Sequence, residues 1–275
     1  MNITIETITP DIAKAYLEHN EGNRPLKDST LRGLIREMKS GNFKLTHQGI
    51  AFDAAGRLID GQHRLTACIL SGSSFQSLVA RDVSEESVCF VDIGVKRNVI
   101  DAIKMANKYE DSPALRNKGT AAAMNRLVSL GYKDLNLTGN EICGLMEHFQ
   151  SQCEQMYRAS ISRRSATATV NAASLAALIC GESNEDIYRF FSVYLNGDAN
   201  MCEGYNIAAV FNWRQQLMDA KLHRVSFEPK RIFLGTQNAI WNFIHSDARM
   251  IKSPKNARYP VDKLFELYFT STSKK

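Results

Sequence analysis

The stretch Arg57–Ala67, "RLIDGQHRLTA", joins a short apolar run to a helical one through a single glycine. Leu58 and Ile59 read as the end of a strand. Leu65, Cys68 and Ile69 read as one face of a helix that stops at Gly72. Between them stand Asp60, Gly61, Gln62, His63 and Arg64. A glycine at such a junction lets the backbone come close to a ligand, and the first N–H groups of a helix are unpaired and carry positive potential. Arg64 adds a planar fork suited to phosphate or carboxylate, and His63 adds a donor or a titratable base. Asp60 can hold a divalent cation such as Mg2+ or take a proton from a hydroxyl. The candidate site is therefore Asp60 and His63 for catalysis, Gly61, Gln62, His63 and Arg64 for phosphate, and Asp60 for metal. The alternative is a purely structural turn, because Asp-Gly is a common turn dipeptide.

Upstream, "GIAF" (49–52) and "RLID" (57–60) are two short strands separated by Asp53-Ala54-Ala55-Gly56, a spacer that suits a hairpin. A helix is expected from Asp28 to Lys39, with Leu31, Leu34, Ile35 and Met38 at core spacing and Gly41 ending it. Thr9-Pro10-Asp11 opens an earlier helix with a capping hydroxyl, a first-turn proline and an acid at the positive end of the dipole. "NITIETI" (2–8) alternates in period two and predicts a strand with Ile3, Ile5 and Ile8 on one side. Downstream, "SLVAR" (77–81) reads as a strand and Ser84-Glu85-Glu86 as a helix start. "VDIGVKR" (91–97) closes this α/β region.

From about residue 99 helical periodicity takes over. Thr138-x-x-Glu141 is a capping box ahead of Ile142, Leu145, Met146 and Phe149. Ser183-x-x-Asp186 precedes Ile187, Phe190, Phe191 and Tyr194. Further helices carry Ile207, Val210, Phe211 and Leu217, then Ile232, Phe233, Ile240, Phe243 and Ile244, then Val261, Leu264, Phe265 and Tyr268. Trp213 and Trp241, with Phe211 and Phe243, occupy core spacing. The expected architecture is an α+β domain over 1–108 followed by an all-α domain over 109–275.

Composition sets broad bounds. In 275 residues, 44% are hydrophobic and 23% charged, enough for a buried core, and the net charge of +5 permits an anionic partner without requiring one. The six cysteines are widely spaced with no C-x-x-C pair, which argues for free thiols in a reducing compartment and against structural zinc. "MNITIETITPDIAK" lacks the pattern of a signal peptide, and no apolar run reaches membrane-span length. The expectation is a cytoplasmic protein with no membrane contact. His148, His223 and His245 lack the H-E-x-x-H spacing of zinc hydrolases, and no P-loop, nucleophile elbow or catalytic triad pattern is present.

"DGQHRL", preceded by "HQGIAFDAAGRLI", resembles the ParB/sulfiredoxin-like superfamily, and within it the ParB-like proteins of bacteriophages and mobile elements. The resemblance runs from "NRPLKDSTLRGLIREMKSGNF" (23–43) through the hairpin to "VDIGVKR", covering about residues 1–100. It implies a ParB/sulfiredoxin-like α+β fold whose strand–glycine–helix junction holds nucleotide phosphates. Members include CTP-hydrolysing partition clamps, ATP-using sulfiredoxins and free-serine kinases. Sulfiredoxins carry a reactive cysteine where this chain has Gln62, which removes the redox reaction. Partition proteins resemble "GERRxRA", and the neutral Gln62 departs from the glutamate that assists metal there. The serine kinases resemble "DGHHR", nearer to Asp60–Arg64. A nucleoside triphosphate with Mg2+ is the cofactor set this implies, in the host cytoplasm if the chain is phage-encoded.

Other residues extend the candidate site. Asp92, Gly94 and Arg97 match a D-x-G-x-x-R element of the phage-type relatives, with Arg97 a phosphate ligand and Asp92 a support; an Asp–Arg pair fixing a turn is the alternative. His47 and Gln48 precede the hairpin and can line the same pocket. Arg32, Arg36 and Lys39 share the face of the second helix opposite its apolar stripe, with Arg24 and Lys27 upstream; this is either a DNA-backbone contact or an ordinary solvated face. Arg158, Arg163 and Arg164 stand in a hydroxyl-rich stretch that reads as a connector. No helix-turn-helix is recognisable in the helical part. The expected function is a phage-type ParB-like protein binding a nucleotide or nucleic-acid phosphate in DNA-related processes, with DNA and self-association as the partners foreseen. A nucleotide-dependent phosphotransferase or metal-dependent nuclease using Asp60, His63 and Arg64 is one alternative. A non-catalytic DNA-binding or host-interaction protein is the other.

Overall fold

The computed structural model describes residues 1–84 apart from 22 and 24, residue 100, residues 109–246 apart from 134, 136, 163–165 and 201, and residues 256–272. The chain divides into two compact units, one within Met1–Lys96 with Ser271–Lys275 and one within Arg97–Thr270.

The first unit is α+β. Its elements are β1 (Asn2–Ile8), α1 (Pro10–Leu17), α2 (Asp28–Lys39), β2 (Ile50–Asp53), β3 (Leu58–Asp60), α3 (Gln62–Ser71) and β4 (Phe75–Val83). The sheet order is β1-β4-β2-β3, with β1 antiparallel to β4, β4 parallel to β2, and β2 antiparallel to β3. The three helices bury one sheet face around Ile8, Met38, Ile50, Phe52, Leu58, Leu65, Cys68, Phe75 and Val79. Thr9 caps α1 by accepting the Ile12 N–H, with Pro10 at the first helical position.

The hairpin forms because Asp53 organises it. Its Oδ1 accepts the N–H groups of Ala55 and Arg57 at 2.9 and 2.8 Å, and its Oδ2 accepts Arg57 Nε at 2.7 Å. Burial pushes the Asp53 carboxyl up, but the hydrogen bonds from Arg57 and Ala55 outweigh it and leave the pKa below the usual range.

The alternation of β1 holds, but its apolar side is not the covered one. Ile3 and Ile5 are exposed, whereas Ile8 lies in the core with the opposite parity. The helices cover the even-numbered face, where Glu6 is made tolerable by Arg81 at 2.6 Å and by the Tyr16 hydroxyl at 2.6 Å. Arg81 in turn donates to the Tyr16 hydroxyl at 2.7 Å. The hydrogen bond from Arg81, with those of Thr4 and Tyr16, overcomes burial and holds the Glu6 pKa down at about 2.

The second unit is helical: α4 (Lys118–Gly131), α5 (Gly139–His148), α6 (Gln150–Met156), α7 (Ala168–Ile179), α8 (Asn184–Phe191), α9 (Ile207–Leu222), α10 (Pro229–His245) and α11 (Asp262–Thr272). Single π-helical turns extend α6 over Tyr157–Ile161 and α8 over Ser192–Asn196. The Thr138–Glu141 capping box and the Ser183 cap start α5 and α8. At the centre is α7, in which every residue from Thr169 to Leu178 is buried. Its alanines and serine keep it thin, so α4, α6 and α10 pack directly against it. Trp213 and Phe243 join the core, but Phe211 points outward at 40% exposure, contrary to the spacing-based expectation. Among the described residues no helix is long and apolar enough to cross a membrane, and Cys68, Cys143, Cys153, Cys180 and Cys202 are free.

Candidate functional site: the strand–glycine–helix junction

β3 ends in a bulge. Ala51 pairs with Asp60 and Phe52 with Leu58, leaving Ile59 as the extra residue of β3. The extra residue re-aims the strand as it enters Gly61. Gly61 adopts φ 109° and ψ −5° and precedes α3 without a side-chain cap. A Cβ at this position would stand 2.9 Å from Ile50 Cγ1, so both conformation and space require glycine. Gly49, at the entry to β2, is constrained by space alone: its Cβ would lie 2.3 Å from the Leu78 carbonyl oxygen.

The side chains on either side of Gly61 point in different directions. Asp60 Oδ1 accepts the Gly61 N–H at 2.6 Å, and Oδ2 accepts Arg64 Nη2 at 2.9 Å. Arg64 also donates from Nη1 to the Gln48 carbonyl at 3.1 Å and from Nη2 to the Gly49 carbonyl. The expected phosphate fork is thus turned inward at 14% side-chain exposure, tying the first turn of α3 to the start of β2. Gln62 is buried, and its Oε1 accepts Asn20 Nδ2 at 3.4 Å. His63 is half-buried, and its Nε2 accepts the backbone N–H of Lys27 at 2.9 Å.

That last bond brings a second helix start to the junction. Lys27 is the N-cap of α2 and supplies no side-chain cap, so the positive ends of α2 and α3 converge around His63. The segment between α1 and α2 runs over the same region. His19 accepts the Leu58 N–H through its carbonyl at 2.8 Å, Asn23 donates to the Leu58 carbonyl, and Asn23 also donates to Asn20 Oδ1 at 2.7 Å.

Asp60, Gly61, Gln62, His63 and Arg64 are therefore assembled, with Gln48 joined through its carbonyl. The Gln48 side chain and His47 are exposed. On α2, Arg32 and Lys39 are exposed and Arg36 is half-buried. Arg24, Asp92 and Arg97 lie outside the described residues. Sequence reasoning missed Gly49, Asn20, Asn23 and the Lys27 backbone. The polar run "HNEGNRPLK" (19–27) is the one signal that marked this segment as something other than a plain connector.

Both Asp60 oxygens are engaged by Gly61 and Arg64, and among the described residues no group of three or more His, Cys, Asp or Glu side chains could hold a metal. Two shallow hollows belong to the helical unit: one of about 430 Å3 beside Tyr109, Asp111 and Gln150, the other of about 320 Å3 beside Asp219, His223 and Phe227. Neither includes a junction residue.

By fold and site, the first unit is a mixed four-stranded sheet with helices on one face and a glycine-gated helix start at the end of β3. Comparison with protein-family models, curated proteins and solved structures returns no match.

Proposed function

We propose that the α+β unit is a ParB-like module that holds a phosphate, of a nucleotide or of nucleic acid, where the N-termini of α2 and α3 converge. The observation that carries this is the His63–Lys27 bond, which joins two helix starts that have no side-chain cap. Aligned peptide dipoles and outward N–H groups at such ends favour an anion without needing a cationic side chain in the site. In this scheme His63 positions α2, Gly61 gives the backbone close approach, and the Asp60–Arg64 pair holds the junction rigid. The exposed Lys27 side chain supplies attraction from the rim. The same arrangement suits a phosphotransferase less well, because the Asp60 carboxylate is already neutralised by Arg64.

The test is thermal unfolding of the full chain with a panel of nucleoside di- and triphosphates, with and without magnesium, and with a short DNA duplex. A ligand at roughly 100 times its Kd stabilises the unit it binds by about 2.7 kcal/mol. Lys27→Glu with His63→Ala is expected to weaken that ligand at least about tenfold, a change of roughly 1.4 kcal/mol. Unchanged affinity in this variant, or no stabilisation by any member of the panel, refutes the proposal.

The cations of α2, exposed at Arg32 and Lys39 and half-buried at Arg36, favour a second use of the same site, on nucleic acid. Arg32, Arg36 and Lys39 recur at i, i+4 and i+7 and would track a phosphate backbone leading away from the junction. Arg32→Glu should then lower the slope of log K against log salt by about one. A salt-independent affinity excludes this use.

A further inference from the structure

Helix α9 carries two apolar stripes on opposite faces. The inner stripe is Ala209, Val210 and Trp213, all buried. Trp213 donates Nε1–H to Thr236 Oγ1 at 3.0 Å, and its ring occupies space that a Cβ on Gly235 would invade at 2.3 Å. The outer stripe is Ala208, Phe211, Gln215, Met218 and Leu222, all exposed, and Val225, beyond the left-handed Arg224 that ends the helix, is exposed beside it. Successive members are three or four residues apart in strict alternation, the spacing of a coiled-coil seam. Phe211, Met218, Leu222 and Val225 are 40%, 55%, 77% and 54% exposed.

We propose that this outer stripe is a homodimer seam, in which α9 of two copies packs parallel and in register. In heptad terms Ala208, Gln215 and Leu222 take a positions, and Phe211 and Met218 take d positions. The flanks are Arg214 and Lys221 at g, and Asn212 and Asp219 at e. In a parallel pair each g residue meets the e residue five positions on, so Arg214 meets Asp219 of the second copy, twice by symmetry. An antiparallel pair would instead set Arg214 against Lys221 of the second copy, a like-charge contact. Charge therefore selects the parallel arrangement. Gln215 at the central a position donates Nε2–H to Asp219 Oδ1 of its own helix at 2.7 Å and turns its amide oxygen to its equivalent in the second copy, and a one-heptad slip would press it against alanine or leucine.

The exposed parts of the four large side chains amount to on the order of 400 Å2, the size of the largest apolar patch on a typical monomer, which is often functional. That is about half of the roughly 800 Å2 each partner contributes to a standard interface, and Ala208, Gln215 and the flanking residues add to it. Two heptads are too few to hold free peptides together. Here each helix is already formed and fixed by its own unit, so pairing costs no helix formation. The seam lies entirely in the helical unit and does not depend on the phosphate site.

The test is sedimentation velocity of the full chain from about 1 to 100 μM, the range in which an interface of this size is read. A dimer that dissociates on dilution is expected. Met218→Glu with Leu222→Glu should abolish it while leaving the far-UV spectrum, and melting at concentrations below the dimer Kd, unchanged, since both residues are exposed. Arg214→Glu should raise the dimer Kd about tenfold, and Arg214→Glu with Asp219→Arg should restore it. A wild-type monomer at all concentrations overturns the proposal and leaves the stripe to a helix of another protein. A dimer that survives the double glutamate variant, or one tightened by Arg214→Glu, overturns it as well.

Discussion

Replacing Gly61 by alanine perturbs the junction in two separable ways. The backbone at φ 109° forces an L-residue into a region that costs about 1–2 kcal/mol. The new Cβ would also stand 2.9 Å from Ile50 Cγ1 and 3.3 Å from Ile50 Cα. Ile50 is buried within β2 and has nowhere to withdraw, which adds about 1–3 kcal/mol of overpacking. The sum is about 2–5 kcal/mol, a large part of the roughly 5–15 kcal/mol that holds a domain. Gly56 provides the control. It has φ 81° and no heavy atom within 4 Å of an added Cβ, so Gly56→Ala meets only the first cost. Both tryptophans lie in the helical unit, so the readout is Cys68, a buried thiol of α3. Its reaction with a thiol reagent across a urea series, resolved by peptide mass, reports opening of the α+β unit. With a slope of about 1–3 kcal/mol per molar urea, Gly61→Ala should lower the midpoint by about 1–2 M. At the middle of that slope range Gly56→Ala should lower it by about 0.5–1 M. Equal midpoints for the two variants would refute the claim that Ile50 closes the space behind Gly61.

Two further outcomes are expected from the same unit. Arg64→Lys keeps the charge but cannot reach the Gln48 and Gly49 carbonyls and Asp60 together, and should cost about 2 kcal/mol by the Cys68 readout; a neutral substitution would mean the fork is not holding the junction. The Glu6 pKa lies below its ordinary 4.5, at about 2, so the folded state binds fewer protons than the unfolded one and the stabilisation is complete above about pH 4.5. It is lost as pH falls from there towards about 2, with Asp53 acting in the same direction. Glu6→Gln should therefore flatten the acid limb of a stability–pH curve, and an acid limb identical to wild type would contradict the Arg81 contact.

Local rules carried most of the element order. The Thr9 cap, the Asp53 hairpin, the Thr138–Glu141 box and the positive-φ Gly41, Gly61 and Gly72 each fix a boundary through chemistry within a few residues, and such signals are readable in one dimension. What failed depended on which face of an element is covered. Ile3 and Ile5 made the outer side of β1 look like the core side, because nothing local says that Arg81 and Tyr16 will accommodate Glu6 on the inner one. Phe211 misled for the same reason: α9 has two apolar stripes, and periodicity cannot say which one the unit buries. In the junction, residue types were legible and directions were not. Arg64 turns inward because two carbonyls and a carboxylate from three chain positions meet it there, a convergence between residues up to sixteen apart. The contributions of Asn20, Asn23 and Lys27 are likewise long-range, and no short motif encodes them.

The bond between His63 and Lys27 also fixes where a proton can reside. Because Nε2 accepts the Lys27 N–H at 2.9 Å, the neutral ring is the tautomer protonated at Nδ1. The Nε2 lone pair is thereby committed to the Lys27 backbone. The ring at the centre of the junction is thus also a strut of the neighbouring helix, and any change of its orientation must be matched by a change in the first turn of α2.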